Sequence, residues 1–273
     1  MIGALGRDRS HWLTLAAAIA ACNGVAAPVL GAAERMGPLA ALANTGGINP
    51  VFWFAILVAL VIAFEPGAEQ RMTRGDCIVV AVVFALAFTP VVSAGSAGVL
   101  LAGGWLSWTS GKGSRGRRSG LILLALTASL IWGHFALMFL GDRIVELDGS
   151  FVAWLAGTSA RGNLVDFSDG GKPMLIAYGC SSMHNFTMAV QFWTAMTQLL
   201  CVPFGWRSLL MLAGAVTANI FVNGLRLTMI AHNQSEFDYW HTGGGGTLFA
   251  WLAVVTVAVV VTLGSHALAP RRL

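Results

Sequence analysis

Residues 119–141 read SGLILLALTASLIWGHFALMFLG, and no Asp, Glu, Lys or Arg interrupts them. A run of about 20 apolar residues is long enough to cross the hydrocarbon core of a bilayer as one helix. The rest of the chain has the same character: 56% of its 273 residues are hydrophobic and 10% are charged. Soluble domains carry about 25% charged residues. The composition therefore predicts an all-α polytopic membrane protein.

Eight apolar segments are candidate spans, and seven is the alternative count. They are 11–33, 50–65, 77–94, 96–109, 119–141, 177–202, 207–231 and 246–268. We expect the third and fourth to form a hairpin broken at Pro90 and at Ser93-Ala94-Gly95. The first segment exceeds the h-region of a cleavable signal peptide, which is about 7–15 residues long, so we interpret it as a span. Residues 1–273 are treated as a single integral membrane domain.

Basic residues report the orientation of these spans. They lie before the first span, after the second, fourth and sixth, and after the last: Arg7, Arg9, Arg71, Arg74, Lys112, Arg115, Arg117, Arg118, Arg207, Arg271 and Arg272. With eight spans and both termini in the cytoplasm, all of these groups are cytoplasmic, as the positive-inside rule requires. The sequence thus predicts a multi-pass protein of the inner or cytoplasmic membrane. Because this basic charge is explained by orientation, no nucleic acid partner is predicted.

The longest outer loop, residues 142–176, precedes the sixth predicted span. Its first part, DRIVELDGSFVAWLAGTSA, predicts a short interfacial helix around Phe151 and Trp154. Its second part contains two alternating segments around Asp169-Gly170-Gly171. That pattern is typical of a β-hairpin. We therefore expect a short extracytoplasmic hairpin that leads directly into Cys180.

A stripe of polar residues follows along the sixth predicted span. It consists of Cys180, His184, Thr187, Gln191, Thr194 and Gln198. Steps of three and four place these residues on one face of a helix. For the deeper residues we favour interhelical hydrogen bonds. Cys180 and His184 lie near the outer surface, and there we favour a functional role.

The seventh predicted span has a similar polar face, formed by Asn219, Asn223 and Arg226. Arg226 stands five residues before the outer end of the segment, roughly 7–8 Å below it. A guanidinium at that depth needs a partner or access to water. The simpler interpretation is an arginine that extends to the headgroups, but the two asparagines favour a polar pocket with Asn223 orienting Arg226.

Two further histidines are candidates for this outer site. His241 stands just before Gly243-Gly244-Gly245-Gly246, a run that permits close approach of a substrate chain or acts as a hinge or linker. His134, in the outer half of the fifth span, is a candidate neighbour. The loop residue His232 is expected to be solvated.

Cys180, Arg226 and His241 together supply the groups that a cysteine acyl-transfer site needs. A thiol is the nucleophile, a guanidinium stabilises the oxyanion or the thiolate, and an imidazole carries the proton. The cysteines lack the spacing of metal ligands, and no nucleotide-binding motif is present, so we expect neither a metal nor a cofactor.

On these residues the chain resembles the exosortase/archaeosortase family of membrane transpeptidases. The likeness covers about residues 142–255, the catalytic half. It rests on Cys180 after the hairpin, on Asn223-Gly224-Leu225-Arg226, and on His241 before the last span. Many members have Cys-Ser-Gly and then an arginine, whereas this chain has Cys180-Ser181-Ser182-Met183-His184, as in a divergent member.

The resemblance implies catalytic roles for Cys180, Arg226 and His241, with Asn223 and His184 in support. It also implies cleavage of C-terminal sorting signals on secreted proteins that are anchored in the lipid membrane, and transfer of those proteins to a surface acceptor. A hydrolase that cleaves without transfer is one alternative. A transporter or channel subunit is another, in which Gln191, Gln198 and Asn219 matter and Cys180 does not. A third is a non-catalytic scaffold of an exopolysaccharide or secretion system.

Overall fold

The computed structural model describes residues 8–43, 47–67 and 70–270, and 78% of these residues are helical. These residues divide into two compact units. The first contains the described residues up to Ile131, Gln191–Pro203 and the two described residues from Ala269 on. The second contains Trp132–Val190 and Phe204–Leu268.

Helices account for most of the chain. In chain order they are α1 Arg9–Gly24, α2 Ala26–Met36, α3 Pro38–Ala43, α4 Pro50–Ala63, α5 Arg74–Phe88, α6 Val92–Thr109, α7 Arg115–Thr127, α8 Gly133–Ala156, α9 Met183–Leu199, α10 Trp206–His232, α11 Phe237–His241 and α12 Gly244–Leu268. A π-helical segment, Ala128–Trp132, joins α7 to α8. Short 3₁₀ turns cover Tyr178–Cys180 and Gln234–Glu236.

Within residues 8–43, 47–67 and 70–270, three helices are long and apolar enough to cross a membrane. They are the continuous helix Arg115–Ala156, Trp206–His232 and Gly244–Leu268. A fourth is obtained if Arg9–Gly24 and Ala26–Arg35, which are bent by 47° at Val25, count as one span. The structure therefore has three or four candidate spanning helices, in keeping with a helical membrane protein.

The continuous helix Arg115–Ala156 corrects one sequence-based boundary. Its 42 residues have a length of about 63 Å, twice the roughly 30 Å of a bilayer core. The predicted span 119–141 and the predicted interfacial helix around Phe151 are thus one element. No proline stands between residues 119 and 156, so nothing in the sequence interrupts the backbone hydrogen bonds. Gly157, with φ +68°, follows the last turn.

In the first unit, α1 is the central helix. Its alanines Ala16, Ala17, Ala20 and Ala21 are fully buried. Such small side chains let neighbouring helices approach closely. At Gly95 of α6, a β-carbon would stand 2.7 Å from the backbone nitrogen of Gly24. The predicted break at Pro90 is confirmed, because α5 ends at Phe88 and α6 begins at Val92. The break predicted at Ser93-Ala94-Gly95 is wrong, because these residues form part of α6.

Buried charges tie the N-terminal end of α1 to other helices of the first unit. The Arg9 guanidinium lies 2.8 Å from the Asp76 carboxylate, and the Trp105 indole donates to the same oxygen at 2.8 Å. Asp8 caps α1 through the Ser10 amide and pairs with Arg115 at 2.6 Å. Each buried carboxylate thus has both a cation and a neutral donor, as burial of charge requires.

The second unit contains a small three-stranded antiparallel sheet beside α8 and α10. Its strands are β1 Ala160–Arg161, β2 Leu164–Val165 and β3 Met174–Leu175. Leu164 is opposite Leu175 and Val165 is opposite Met174, so β2 and β3 form the expected hairpin across residues 166–173. Its inner face shares a core with α8 and α10 that includes Val145, Val152, Leu227 and Ile230. The chain then continues into the turn that carries Cys180.

Candidate active site around Cys180

Cys180 ends a 3₁₀ turn that lies between β3 and α9. The turn is Tyr178–Cys180, Ser181 is extended at φ −69° and ψ 157°, and α9 begins only at Met183. Cys180 therefore does not belong to the helix that carries His184, and the predicted span 177–202 starts too early. The extended backbone at Ser181 interrupts the helical repeat, so the expected single face through Cys180 and His184 is wrong.

His241 supplies a ring nitrogen to the thiol. The distance from Cys180 Sγ to His241 Nε2 is 3.5 Å, within hydrogen-bonding range for sulfur. Both side chains are half-buried. His241 ends the short helix α11, where its ring lies 4.9 Å from the Phe237 ring, centroid to centroid. Two residues 61 positions apart are thus brought into contact as a nucleophile and a base require.

The glycines after His241 do not form a flexible linker. Gly244, Gly245 and Gly246 belong to the first turn of α12, and Gly245 and Gly246 are buried. The expectation of a hinge here is therefore wrong. Absence of side chains instead lets α12 begin directly against the Trp240–His241 backbone, where a β-carbon on Gly246 would stand 2.8 Å from the His241 carbonyl oxygen.

Asn223 holds the backbone of the nucleophile. Its Nδ2 donates to the Cys180 carbonyl oxygen at 3.0 Å, and the asparagine side chain is buried in α10. The sequence predicts that Asn223 orients Arg226, but in the structure its side chain is bonded to Cys180. The bond connects the Cys180 turn directly to α10.

Arg226 lies one turn further along α10 and is half-buried. Its charge interacts electrostatically with Cys180 and with His184. Its Nε has no hydrogen-bond partner among the described residues. The guanidinium therefore lies within electrostatic range of the thiol, and its Nε is an unused donor among the described residues, which suits the stabilisation of a developing anion.

Asp148 is a residue of this site that sequence reasoning missed. Its carboxylate, buried in α8, accepts from the backbone N–H of Ser182 at 2.9 Å. The segment from Cys180 to Ser182 is consequently fixed at both ends, by Asn223 at the carbonyl and by Asp148 at the amide. One signal was available, because Asp148 shares a helical face with Val145 and Val152, and an acid on an apolar face needs a partner.

The first residue of the turn, Tyr178, is bonded to α8. The Tyr178 hydroxyl donates to the Asp142 carboxylate at 2.6 Å, and this hydrogen bond raises the pKa of the exposed phenol. Protonated Tyr178 is the form that can donate, which is why the bond favours it. α8 therefore contacts the chain on both sides of Cys180, at Tyr178 and at Ser182.

Other polar candidates have different surroundings. Gln191 Nε2 donates to Ser129 Oγ at 2.6 Å, the interhelical bond expected of it. His232 Nδ1 lies 3.2 Å from Ser168 Oγ. His134 is exposed, and within the described chain it makes no hydrogen bond to Cys180 or its neighbours. The proposal that His134 adjoins the site therefore has no support.

No protein family model matches this chain, and no characterised protein or solved structure is significantly similar to it. Among the described residues, no group of three or more His, Cys, Asp and Glu side chains could hold a metal ion. All four cysteines are free thiols. The chemistry of the site therefore depends on Cys180, His241, Arg226 and the groups that hold them.

Proposed function

We propose that the protein is a membrane-embedded cysteine transpeptidase or protease of the exosortase type. It acts on secreted proteins that carry a C-terminal sorting signal and a membrane anchor, and it transfers them to a surface acceptor. The observation that carries the proposal is the 3.5 Å contact between Cys180 Sγ and His241 Nε2, made where Asn223 and Asp148 hold the cysteine backbone.

In the first half of the reaction, His241 takes the thiol proton and Cys180 Sγ attacks the carbonyl carbon of the scissile peptide bond. The negative charge that develops on the carbonyl oxygen lies near Arg226, and one good donor to such an oxyanion contributes about 3–4 kcal/mol. The C–N bond then breaks, and the imidazolium of His241 gives its proton to the leaving amine. The product is a thioester on Cys180.

In the second half, an acceptor nucleophile attacks the thioester while His241 removes its proton. The C–S bond breaks, and the Cys180 thiolate returns to its pair with His241. If the nucleophile is water, the outcome is hydrolysis; if it is a group on a surface acceptor, the outcome is transfer.

The proposed topology follows from the positive charges and the apolar segments. Eight spans with both termini cytoplasmic would put Cys180, Arg226 and His241 at the outer leaflet of the inner or cytoplasmic membrane. A substrate that is anchored by its own helix is confined to the same membrane, which raises its effective concentration at that depth.

Transport is a weaker candidate. It assigns the deep polar stripe to a permeation path, whereas Gln191 is bonded to Ser129 within the first unit. A scaffold role would leave the thiol–imidazole contact without a purpose.

The decisive experiment expresses the chain with C-terminally tagged secreted proteins of the same cell. Wild type, Cys180→Ala, His241→Gln and Cys77→Ala are compared for substrate shortening and for a hydroxylamine-sensitive adduct. Cys77 is the matched control because it is another free thiol, exposed at the start of α5. We expect shortening to vanish in Cys180→Ala, to fall strongly in His241→Gln and to be unchanged in Cys77→Ala. Normal processing by a stably expressed Cys180→Ala variant would overturn the proposal.

A further inference from the structure

Asn219 is a fully buried amide to which no described residue forms a hydrogen bond. It lies in α10 with 0% of its surface exposed. Neither its Oδ1 nor its Nδ2 has a hydrogen-bond partner in the part of the chain that the structure describes. Burial of a carboxamide in this state is strongly unfavourable, since it has lost its hydrogen bonds to water and gained none. Such a group either destabilises the fold or forms its hydrogen bonds with another molecule.

Its position is next to the Cys180 site. Asn219, Asn223 and Arg226 lie at steps of four and three on one face of α10. Asn223 is bonded to the Cys180 carbonyl at 3.0 Å, and Asn219 lies about 6 Å further towards the N-terminus of the helix. Ser181 Oγ and Arg226 Nε are also buried and unpaired among the described residues. Polar atoms unpaired among the described residues therefore lie on the residue that follows Cys180 and about one turn to either side of Asn223 in α10.

We propose that Asn219 binds the peptide backbone of the substrate, on the leaving-group side of the scissile bond, at the first turn of the substrate's membrane helix. Because Asn219 has no exposed surface, the side chains that cover it must move aside when the substrate enters. This inference rests on the proposed function. A carboxamide presents one acceptor and one donor group, which match the N–H and C=O of a peptide backbone. The first four N–H groups of any helix have no partner within that helix, and within a membrane each of them needs one.

The direction of the substrate follows from the topology. If the outer end of α10 is at His232, Asn219 lies deeper in the membrane than Asn223 and Cys180. A protein that is anchored by a C-terminal helix enters the membrane after its cleavage point. The residues next to Asn219 are then those that leave with the anchor.

The test compares Asn219→Leu with Thr228→Val. Thr228 is a buried polar residue of the same helix whose hydroxyl is already bonded to the Gly224 carbonyl at 2.8 Å. For Asn219→Leu we expect a melting temperature equal to or above wild type, a KM for substrate processing raised about tenfold or more, and an unchanged rate of Cys180 alkylation by iodoacetamide. Thr228→Val should process substrate as wild type does. Asn219→Ala serves as a second variant if the leucine does not fit.

A substrate series makes the test specific. Proline is placed in turn at each of the first four positions of the substrate's membrane helix, where it removes one N–H and is tolerated by a helix start. Wild type should process one of these substrates more slowly than the unmodified substrate. Asn219→Leu should process that substrate and the unmodified one at the same rate.

Three outcomes would overturn the inference. The first is an unchanged KM in Asn219→Leu. The second is a fall in the melting temperature of Asn219→Leu, which would mean that Asn219 has a partner within the folded protein. The third is that the proline substitutions slow processing equally in wild type and in Asn219→Leu. The proposed function fails separately, through processing by Cys180→Ala. If Cys180→Ala is inactive and Asn219→Leu behaves as wild type, only the Asn219 inference is wrong.

Discussion

Substitution of Gly224 by alanine should uncouple α10 from the Cys180 turn. Gly224 follows Asn223, and a β-carbon there would stand 2.9 Å from Phe151 Cδ1, still closer to Phe151 Cε1, and 3.3 Å from Leu155 Cδ1. Carbon atoms in good contact are about 3.5–4.0 Å apart. The Phe151 ring is stacked on Trp154 at 6.1 Å between centroids, so moving the ring aside would disturb that contact. We therefore expect α8 and α10 to separate by about 1 Å at this level.

Two opposing effects determine the stability of Gly224→Ala. Overpacking costs about 1–3 kcal/mol. Alanine gains about 1 kcal/mol over glycine in a helix. The expected net loss is about 0–2 kcal/mol, small enough for the variant to fold. The functional effect is larger, because a shift of about 1 Å lengthens the bond from Asn223 Nδ2 to the Cys180 carbonyl from 3.0 Å to about 4 Å, beyond hydrogen-bonding distance.

The assay measures thermal unfolding in detergent, substrate shortening and the rate of Cys180 alkylation for wild type, Gly224→Ala, Phe151→Leu and the double variant. Gly224→Ala should process substrate at least tenfold more slowly, and Phe151→Leu should restore much of that loss by removing the clashing ring atoms. If Gly224→Ala is stabilised by the full helix propensity and processes normally, α8 and α10 are not in close contact and this reasoning is refuted.

Three more substitutions probe separate contacts. Asp148→Ala should reduce processing at least tenfold and Asp148→Asn should retain most of it, since the amide oxygen can still accept from Ser182; equal losses in both would contradict a positioning role. Asp76→Ala should lower the unfolding free energy by about 3–5 kcal/mol, as measured by denaturant titration, because it leaves the buried charge of Arg9 unpaired; a loss below 1 kcal/mol would refute burial of the pair. Gln191→Leu should cost about 1–2 kcal/mol yet leave processing unchanged, and abolished function would favour the transport alternative.

Several features were predictable because they depend on local sequence. The break near Pro90 follows from the missing N–H and fixed φ of proline. The hairpin before Cys180 follows from alternation on both sides of Asp169-Gly170-Gly171, and Gly170 adopts φ +82°, which a glycine permits at little cost. Each of these signals acts within a few residues of the structure that it specifies.

The errors came from boundaries that local patterns do not determine. The polar residues of DRIVELDGS predict the end of a span. In the structure α8 continues through them, because Arg, Glu and Leu are good helix formers. The run of glycines after His241 predicts a flexible segment. In the structure Gly244, Gly245 and Gly246 begin α12, because close packing against Trp240 and His241 favours residues without a side chain. In both places a contact elsewhere in the fold decides the outcome.

The amino-acid sequence was enough to predict an all-α chain with apolar runs long enough to cross a membrane, and to name the side chains that are candidates for chemistry, because run length and residue type can be read without a structure. Only the tertiary structure decided that Cys180 meets His241, that Asn223 and Asp148 hold the turn between them, and that Asn219 is left without a partner among the described residues. Those facts depend on distances between groups that are tens of residues apart, and such distances are fixed by packing of whole helices rather than by any local pattern.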